Sequence, residues 1–254
     1  MNRIKKKLKQ SEDILSIYFT VGFPCLNDTL QIIKELDSSK VDIIELGLPF
    51  SDPLADGQTI QNSSKIALAN GMSTQLLFEQ LIDIRNHTEI PLIIMGYFNP
   101  IFQYGIDLFC KKCKEVGIDG LIIPDLPPEI YVRDYKKFFQ QNDLINIFLI
   151  TPQTSDDRIK FIDSISDGFI YMVSSSSITG GENNFTKENI DYFKRIKNLK
   201  LKSPKIIGFG ISNREIFLTA NNYANGCIIG SAFIKYIQKN GISSIRSFVE
   251  GITS

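Results

Sequence analysis

The chain has 254 residues, with Lys+Arg and Asp+Glu equal at 28 each, 43% apolar residues and 22% charged ones. This is ordinary globular composition with ample material for a core, and its even charge gives no overall field to draw in nucleic acid or an anionic membrane. No apolar run approaches the roughly 18 residues of a membrane span.

The basic opening, "RIKKKLK", reads as the solvated face of a short N-terminal helix and its flank, and "KRIKNLKLKSPK" near residue 200 reads the same way. The opening has no apolar signal core and carries Glu12 and Asp13 early, unlike a typical transit peptide. Short β-branched runs then recur: "ILSIYFTVG" (14–22), "VDIIELG" (41–47), "PLIIMGY" (91–97) and "DGLIIPD" (119–125). They continue as "INIFLIT" (145–151), "GFIYMVS" (168–174), "KIIGFG" (205–210) and "GCIIGS" (226–231). Most are apolar throughout, as parallel strands buried on both faces are. Amphipathic stretches such as 27–40, 107–117 and 156–166 lie between them and predict helices. Eight strand-then-helix units predict an α/β fold, a closed (β/α)8 TIM barrel forming a single domain over 1–254. An open doubly wound sheet is the runner-up. It lacks its G-x-G-x-x-G turn, for the chain after the first strand reads "TVGFPCLND".

Extra chain falls after the second strand, at "ELGLPFSDPLADG" (45–57), and after the sixth, at "SSSSITGGENNF" (174–185). Loops that follow strands build the functional face of such a barrel, and long ones there are expected to cover an active site.

Several chemistries drop out. The single histidine, His87, precedes the third strand at the end of the barrel opposite its mouth, which excludes a Ser-His-Asp triad and a multi-histidine metal site. Cys110 and Cys113 are a lone pair within a helix, without the second pair that a zinc site needs. The four scattered cysteines suit a reducing, cytosol-like compartment. The abundance of Ile, Lys and Asn suits an AT-rich genome, so the expected location is the cytoplasm, or the stroma if the chain is plastid-encoded. No lysine lies in the C-terminal half of a strand, which disfavours Schiff-base chemistry.

Carboxylates and an anion cradle remain. Gly210 and Gly230 follow the seventh and eighth strands, and Ser231 stands where a helix begins, so backbone N–H groups, a hydroxyl and a helix dipole converge where such barrels hold phosphate. "TGG" (179–181) adds a third glycine site. Glu45 ends a buried strand near the mouth, where desolvation would raise its pKa toward neutrality and fit it to give and take a proton. Its bland alternative is a structural ion pair. Asp56 could simply start a turn at Gly57, yet "PFSDPLADG" sets Asp52 and Asp56 on a stiff segment over the same mouth.

"ELGLPFSDPLADGQTIQ" (45–61), with "YFNPIFQYG" (97–105), "IPDLPPE" (123–129), "SITGGE" (177–182), "IIGFGIS" (206–212) and "GSAF" (230–233), resembles the tryptophan synthase alpha chain family in collinear order from about residue 14 to 250. The resemblance implies a (β/α)8 barrel lyase that cleaves indole-3-glycerol phosphate to indole and glyceraldehyde 3-phosphate. It implies no cofactor or metal in this chain, and a pyridoxal-phosphate-dependent beta chain as partner in an alpha-beta-beta-alpha heterotetramer. Glu45 then corresponds to the general acid/base and Asp56 to the acceptor of the indole N–H. Tyr171 stands near the substrate, and Tyr18, Ile60, Tyr97, Ile122 and Phe209 wall the indole pocket. Thr179, Gly180, Gly210, Gly230 and Ser231 hold the phosphate end, and Pro49, Asp52 and Pro127 face the partner. Ser177 stands where relatives often carry glycine, which stiffens the segment after the sixth strand. Two alternatives stand beside the lyase: a subunit that only activates a beta chain, and another phosphate-binding barrel of aromatic amino-acid biosynthesis, whose synthase form needs a lysine at a strand end.

Overall fold

The computed structural model describes residues 1–54, 56–174, 185–208 and 210–254. All eight expected strands form: β1 Ile14–Thr20, β2 Ile43–Gly47, β3 Leu92–Met95, β4 Gly120–Ile122, β5 Ile145–Ile150, β6 Ile170–Val173, β7 Lys205–Gly208 and β8 Gly226–Ile229. Each neighbouring pair is parallel, and β1 bonds both β2 and β8, so the sheet closes on itself. An open doubly wound sheet is thereby ruled out. β1 and β2 are buried along their whole length because the barrel interior covers one face and helices cover the other.

The first helix, α1 (Arg3–Gln10), precedes β1, and α2 (Thr29–Asp37) follows it. After β2 come α3 (Gln58–Ala69) and α4 (Thr74–Gln80), and after β3 come α5 (Phe98–Tyr104) and α6 (Ile106–Val116). The connection after β4 is broken into α7 (Pro128–Ile130), a π turn at Tyr131–Tyr135 and α8 (Lys136–Gln141). Helices α9 (Asp156–Ile165), α10 (Lys187–Asn198) and α11 (Arg214–Asn221) follow β5, β6 and β7, and α12 (Ser231–Asn240) and α13 (Ile245–Thr253) follow β8. The extra chain after β2 is therefore largely helix, and its described residues 48–54 and 56–57 are irregular. Cys110 and Cys113 are both buried on α6.

The basic opening folds as predicted, and one residue of α1 does more than face water. Asn2 caps the helix by accepting from the Ile4 N–H, while its Nδ2 donates to the carbonyls of Asp119 and Asp143. Ile4 is fully buried beneath the barrel, where a Cβ on Gly120 would meet its Cδ1 at 2.8 Å. A glycine at this point on β4 lets the floor helix sit close. Beside it, Asp119 Oδ2 accepts from Arg85 Nη2 (2.6 Å) and the Leu92 N–H (2.9 Å), and Oδ1 accepts from Arg3 Nη1 (3.3 Å). Arg85 also donates to the carbonyls of Gly117, Thr88 and Ile90, binding the start of β3 to the end of α6.

This closed end depends on a paired, mostly buried carboxylate, so removing one partner strands the other charge. Asp119→Ala is expected to lower the unfolding free energy by about 3–5 kcal/mol, read from the urea midpoint. A loss below about 1 kcal/mol, the scale of a surface pair, would show that the cluster does not anchor the floor.

Candidate active site

The opposite end of the barrel, beyond the C-termini of the strands, holds a cavity of about 400 Å³. Register puts Tyr18 on β1 opposite Glu45 on β2, and cross-strand partners point to the same face of a sheet. Two glycines make room for large rings there. A Cβ on Gly47 would overlap the phenol end of Tyr18 at its hydroxyl oxygen, and one on Gly208 would overlap that of Tyr171 in the same way. Each tyrosine thus occupies space that a side chain on the adjacent strand would need, and both line the cavity.

Glu45 is 0% exposed. Its Oε1 accepts from Ser16 Oγ at 2.7 Å, while Oε2 has no hydrogen-bond partner among the described residues. Burial lifts this carboxyl to about 7, and the Ser16 hydroxyl pulls the other way. The structural ion pair that sequence left open is absent among the described residues. Nor does Glu45 belong to the cavity wall, since its carboxyl turns toward Ser16, two positions before Tyr18.

Asp56 lines the cavity. Gln61 on α3 holds the segment by donating its Nε2 to the Asp56 carbonyl (2.8 Å), and the Asp56 N–H closes a turn onto the Pro53 carbonyl (3.0 Å). Burial raises the Asp56 carboxyl to about 6, against a hydrogen bond from Tyr97 that lowers it. Asp56 thus ends a turn that begins at Pro53 rather than starting one at Gly57, where the chain enters α3. The Tyr18 hydroxyl is pushed above its ordinary range by burial and then by Asp56, and that of Tyr171 by burial and then by Glu45. The two carboxyls and the two tyrosines form one electrostatic unit.

The far side of the cavity is built by backbone. Gly210, with φ +75°, turns the chain after β7, and Gly230 caps α12 without any side-chain hydrogen bond to the first-turn amides. The N–H groups of that first turn have no intrahelical acceptor, and with the Ser231 side chain they form a cradle of the kind that suits an anion.

Of the predicted site residues, the cavity brings together Tyr18, Asp56, Ile60, Tyr171, Gly210, Gly230 and Ser231. Tyr97 does not line it and instead holds Asp56, stacked against Phe50 with ring centroids 5.2 Å apart. Ile122 is buried in register with Met95, and Met95 forms the wall in its place. Thr179, Gly180 and Phe209 lie outside the described residues, as do Ser175 and Ser177. Asp52 and Pro127 are exposed at the mouth. Pro49 is not: packed into the chain directly after β2, it is buried and presents no surface to a partner.

Sequence reading missed Gln58, Thr59, Ile211, Ser212, Ile228 and Lys235 in the lining. Lys235 carries no strand signal, because it lies on a helix. It sits on α12 four residues after Ser231, hence on the same helical face, at the glycine-lined end of the cavity. No group of three or more His, Cys, Asp or Glu side chains is placed to hold a metal among the described residues.

The raised carboxyl predicts a pH-dependent stability. Below about pH 4.5 Glu45 is protonated in both folded and unfolded chains and costs nothing. From there to about pH 7 the unfolded chain ionises first and the fold loses stability, by about 3 kcal/mol in full. Glu45→Gln should therefore be more stable than wild type at pH 8, with the advantage vanishing at pH 4. Urea midpoints for both proteins at the two pH values check this; an equal gap at both would mean that the carboxyl is not desolvated.

Residues 4–251 match the family described as tryptophan synthase alpha chain. The chain is 62% identical over 249 residues to the tryptophan synthase alpha chain of Flavobacterium johnsoniae, covering 98% of each, and 62% identical over 252 residues to that of Flavobacterium psychrophilum, covering 99% of this chain and 100% of the other. Among solved structures it is similar to the tryptophan synthase A-subunit of Pyrococcus furiosus, with TM-score 0.87, 33% identity, and 95% and 98% of the two chains covered. It is similar also to a chain of the tryptophan synthase complex of that organism, with TM-score 0.86, 33% identity and the same coverage. With this barrel, these paired carboxyls and similarity over nearly its whole length, the chain belongs to the tryptophan synthase alpha chain family.

Proposed function

We propose that the chain, acting as one barrel domain, cleaves indole-3-glycerol phosphate to indole and glyceraldehyde 3-phosphate by a retro-aldol reaction, as the alpha subunit of tryptophan synthase. One observation carries the chemical roles: a fully buried carboxyl near neutrality and a second raised carboxyl flank a cavity whose far wall is an amide cradle. The phosphate anchors at Gly210, Gly230 and Ser231. The indole ring lies toward Tyr18, Ile60 and Tyr171, within reach of Asp56.

Protonation at indole C3 makes the ring an electron sink, and Asp56, accepting from the indole N–H, stabilises the resulting cation. Glu45 takes the proton of the glycerol hydroxyl on the carbon attached to C3 and assists the protonation at C3. The hydroxyl oxygen becomes the aldehyde carbonyl while the bond from that carbon to C3 breaks. Its electron pair returns to the ring, leaving neutral indole and glyceraldehyde 3-phosphate. These steps need no cofactor in this chain, and pyridoxal phosphate belongs to the expected partner, a beta chain in an alpha-beta-beta-alpha heterotetramer. Asp52 and Pro127 at the mouth, beside Leu54 at 91% exposure, supply surface for that partner.

The presence of both carboxyls in the site argues against a subunit that only activates a beta chain. A synthase of the same pathway needs a lysine at a strand end, whereas the one lysine lining this cavity comes from α12 on the phosphate side. The two Flavobacterium relatives are bacterial, which supports the cytoplasm over a plastid stroma; no helix among the described residues is long and apolar enough to cross a membrane.

Incubating the pure chain with indole-3-glycerol phosphate, with and without a beta chain, should release indole, faster with the partner. Glu45→Gln should lower turnover by at least about 10²-fold and Asp56→Asn by about 10²-fold, while affinity for a phosphate ligand stays nearly intact. No indole under either condition would remove the lyase reading, and undiminished turnover in the Glu45 variant would remove that residue's role.

A further inference from the structure

The inner face of β1 carries a residue that the barrel's packing does not call for. Ser16 is in register with Ile43 on β2 and Ile228 on β8, so it shares their face, and it is fully buried. Barrel interiors are filled mainly by branched apolar side chains, and a serine here gives up packing volume and brings in a hydroxyl that must be satisfied. That hydroxyl lies 2.7 Å from Glu45 Oε1, and no other donor reaches Glu45 among the described residues. The groups facing Glu45 are Tyr18 from β1 and Tyr171 from β6, and Asp56, from the segment after β2, acts on both tyrosines. None of the three is cationic. Glu45 is moreover absent from the cavity wall, although Tyr18, its register partner, is part of it.

Building on the acid/base role proposed for Glu45, we propose that Ser16 is its positioning residue: the hydroxyl parks the carboxyl beside the cavity, and Glu45 exchanges that bond for one to the substrate's hydroxyl. The exchange is between similar partners, hydroxyl for hydroxyl, so the carboxylate stays hydrogen-bonded throughout and is never left bare in a low-dielectric interior. Ser16 also bounds how far burial raises the carboxyl, because its bond favours the charged form. A group too firmly protonated at neutral pH is a poor base.

Two readouts test this. One is the carboxyl titration of Glu45, followed by NMR on 13C-labelled full-length protein, with Glu45→Gln to assign the signal; it needs no turnover and so stands apart from the lyase reading. The other is the acid limb of the pH profile of kcat/KM for indole release. Ser16→Ala should move both midpoints upward by about one pH unit, the loss of one hydrogen bond to a charged group. Ser16→Thr, which keeps the hydroxyl, should restore them, and Ser16→Cys, a weak donor, should fall between. Should Ser16→Ala fold poorly, the Cys variant against wild type carries the comparison. Unshifted titration of Glu45 in the Ala or Cys variant overturns the proposal, as does a Thr variant that behaves like Ala. If titration shifts as expected and wild type releases no indole, the positioning stands and the lyase reading falls.

Discussion

A carboxylate enclosed by a closed barrel is the constraint on which the site depends. Ionising Glu45 means charging a group that water does not reach, with one hydroxyl as its donor among the described residues. The fold holds such a group because the barrel has no edge to open and the surrounding side chains come from different strands, each locked by its own ladder. The carboxyl is poised between charged and neutral at physiological pH, as general acid/base work requires. Stability is spent at this point, and the opposite end shows where it is recovered.

That end is built on another principle. Asp119 is held between Arg85 and Arg3 and accepts from a backbone amide as well, so both of its oxygens have donors. The two buried carboxyls lie on β2 and just before β4 of one barrel and have different surroundings. Asp119, with several donors, anchors α1 as a floor, and Glu45, with one hydroxyl donor among the described residues, lies beside the cavity. This division follows the general rule that the N-terminal face of such barrels serves stability and the C-terminal face serves chemistry. Glycines take part at both ends. Gly120 admits Ile4 into the floor, and Gly47 and Gly208 admit the tyrosine rings that wall the cavity.

A good deal was legible in the sequence because it is local. Eight apolar runs each long enough for a strand, separated by helical periods, define a (β/α)8 order whatever their detailed packing. Glu45 within β2 (in its middle, not at its end), Asp56 in the loop beyond, and the glycines after β7 and β8 carry their chemistry in residue type and place. The misreadings share one physical cause. Tyr97 and Ile122 were expected in the wall from the family resemblance, but side-chain direction and neighbouring bulk decide which residue meets the cavity. Met95 lines it where Ile122 was expected, and Tyr97 bonds Asp56 instead. Pro49 follows a strand directly and remains inside, whereas Asp52, three residues later, is out in solvent.

The chain order by itself determined the barrel, its functional end and the two carboxyls, since these depend on hydrophobic period and on residues next to one another. Only the tertiary structure decided what the carboxyls meet. Ser16 and Glu45 are 29 positions apart in sequence and bond because β1 and β2 pair in one register. Lys235 reaches the cavity from a helix, and two tyrosines fit because glycines on neighbouring strands leave the space. Those relations depend on register and closure, which join residues remote in the chain, and no local pattern of sequence specifies them.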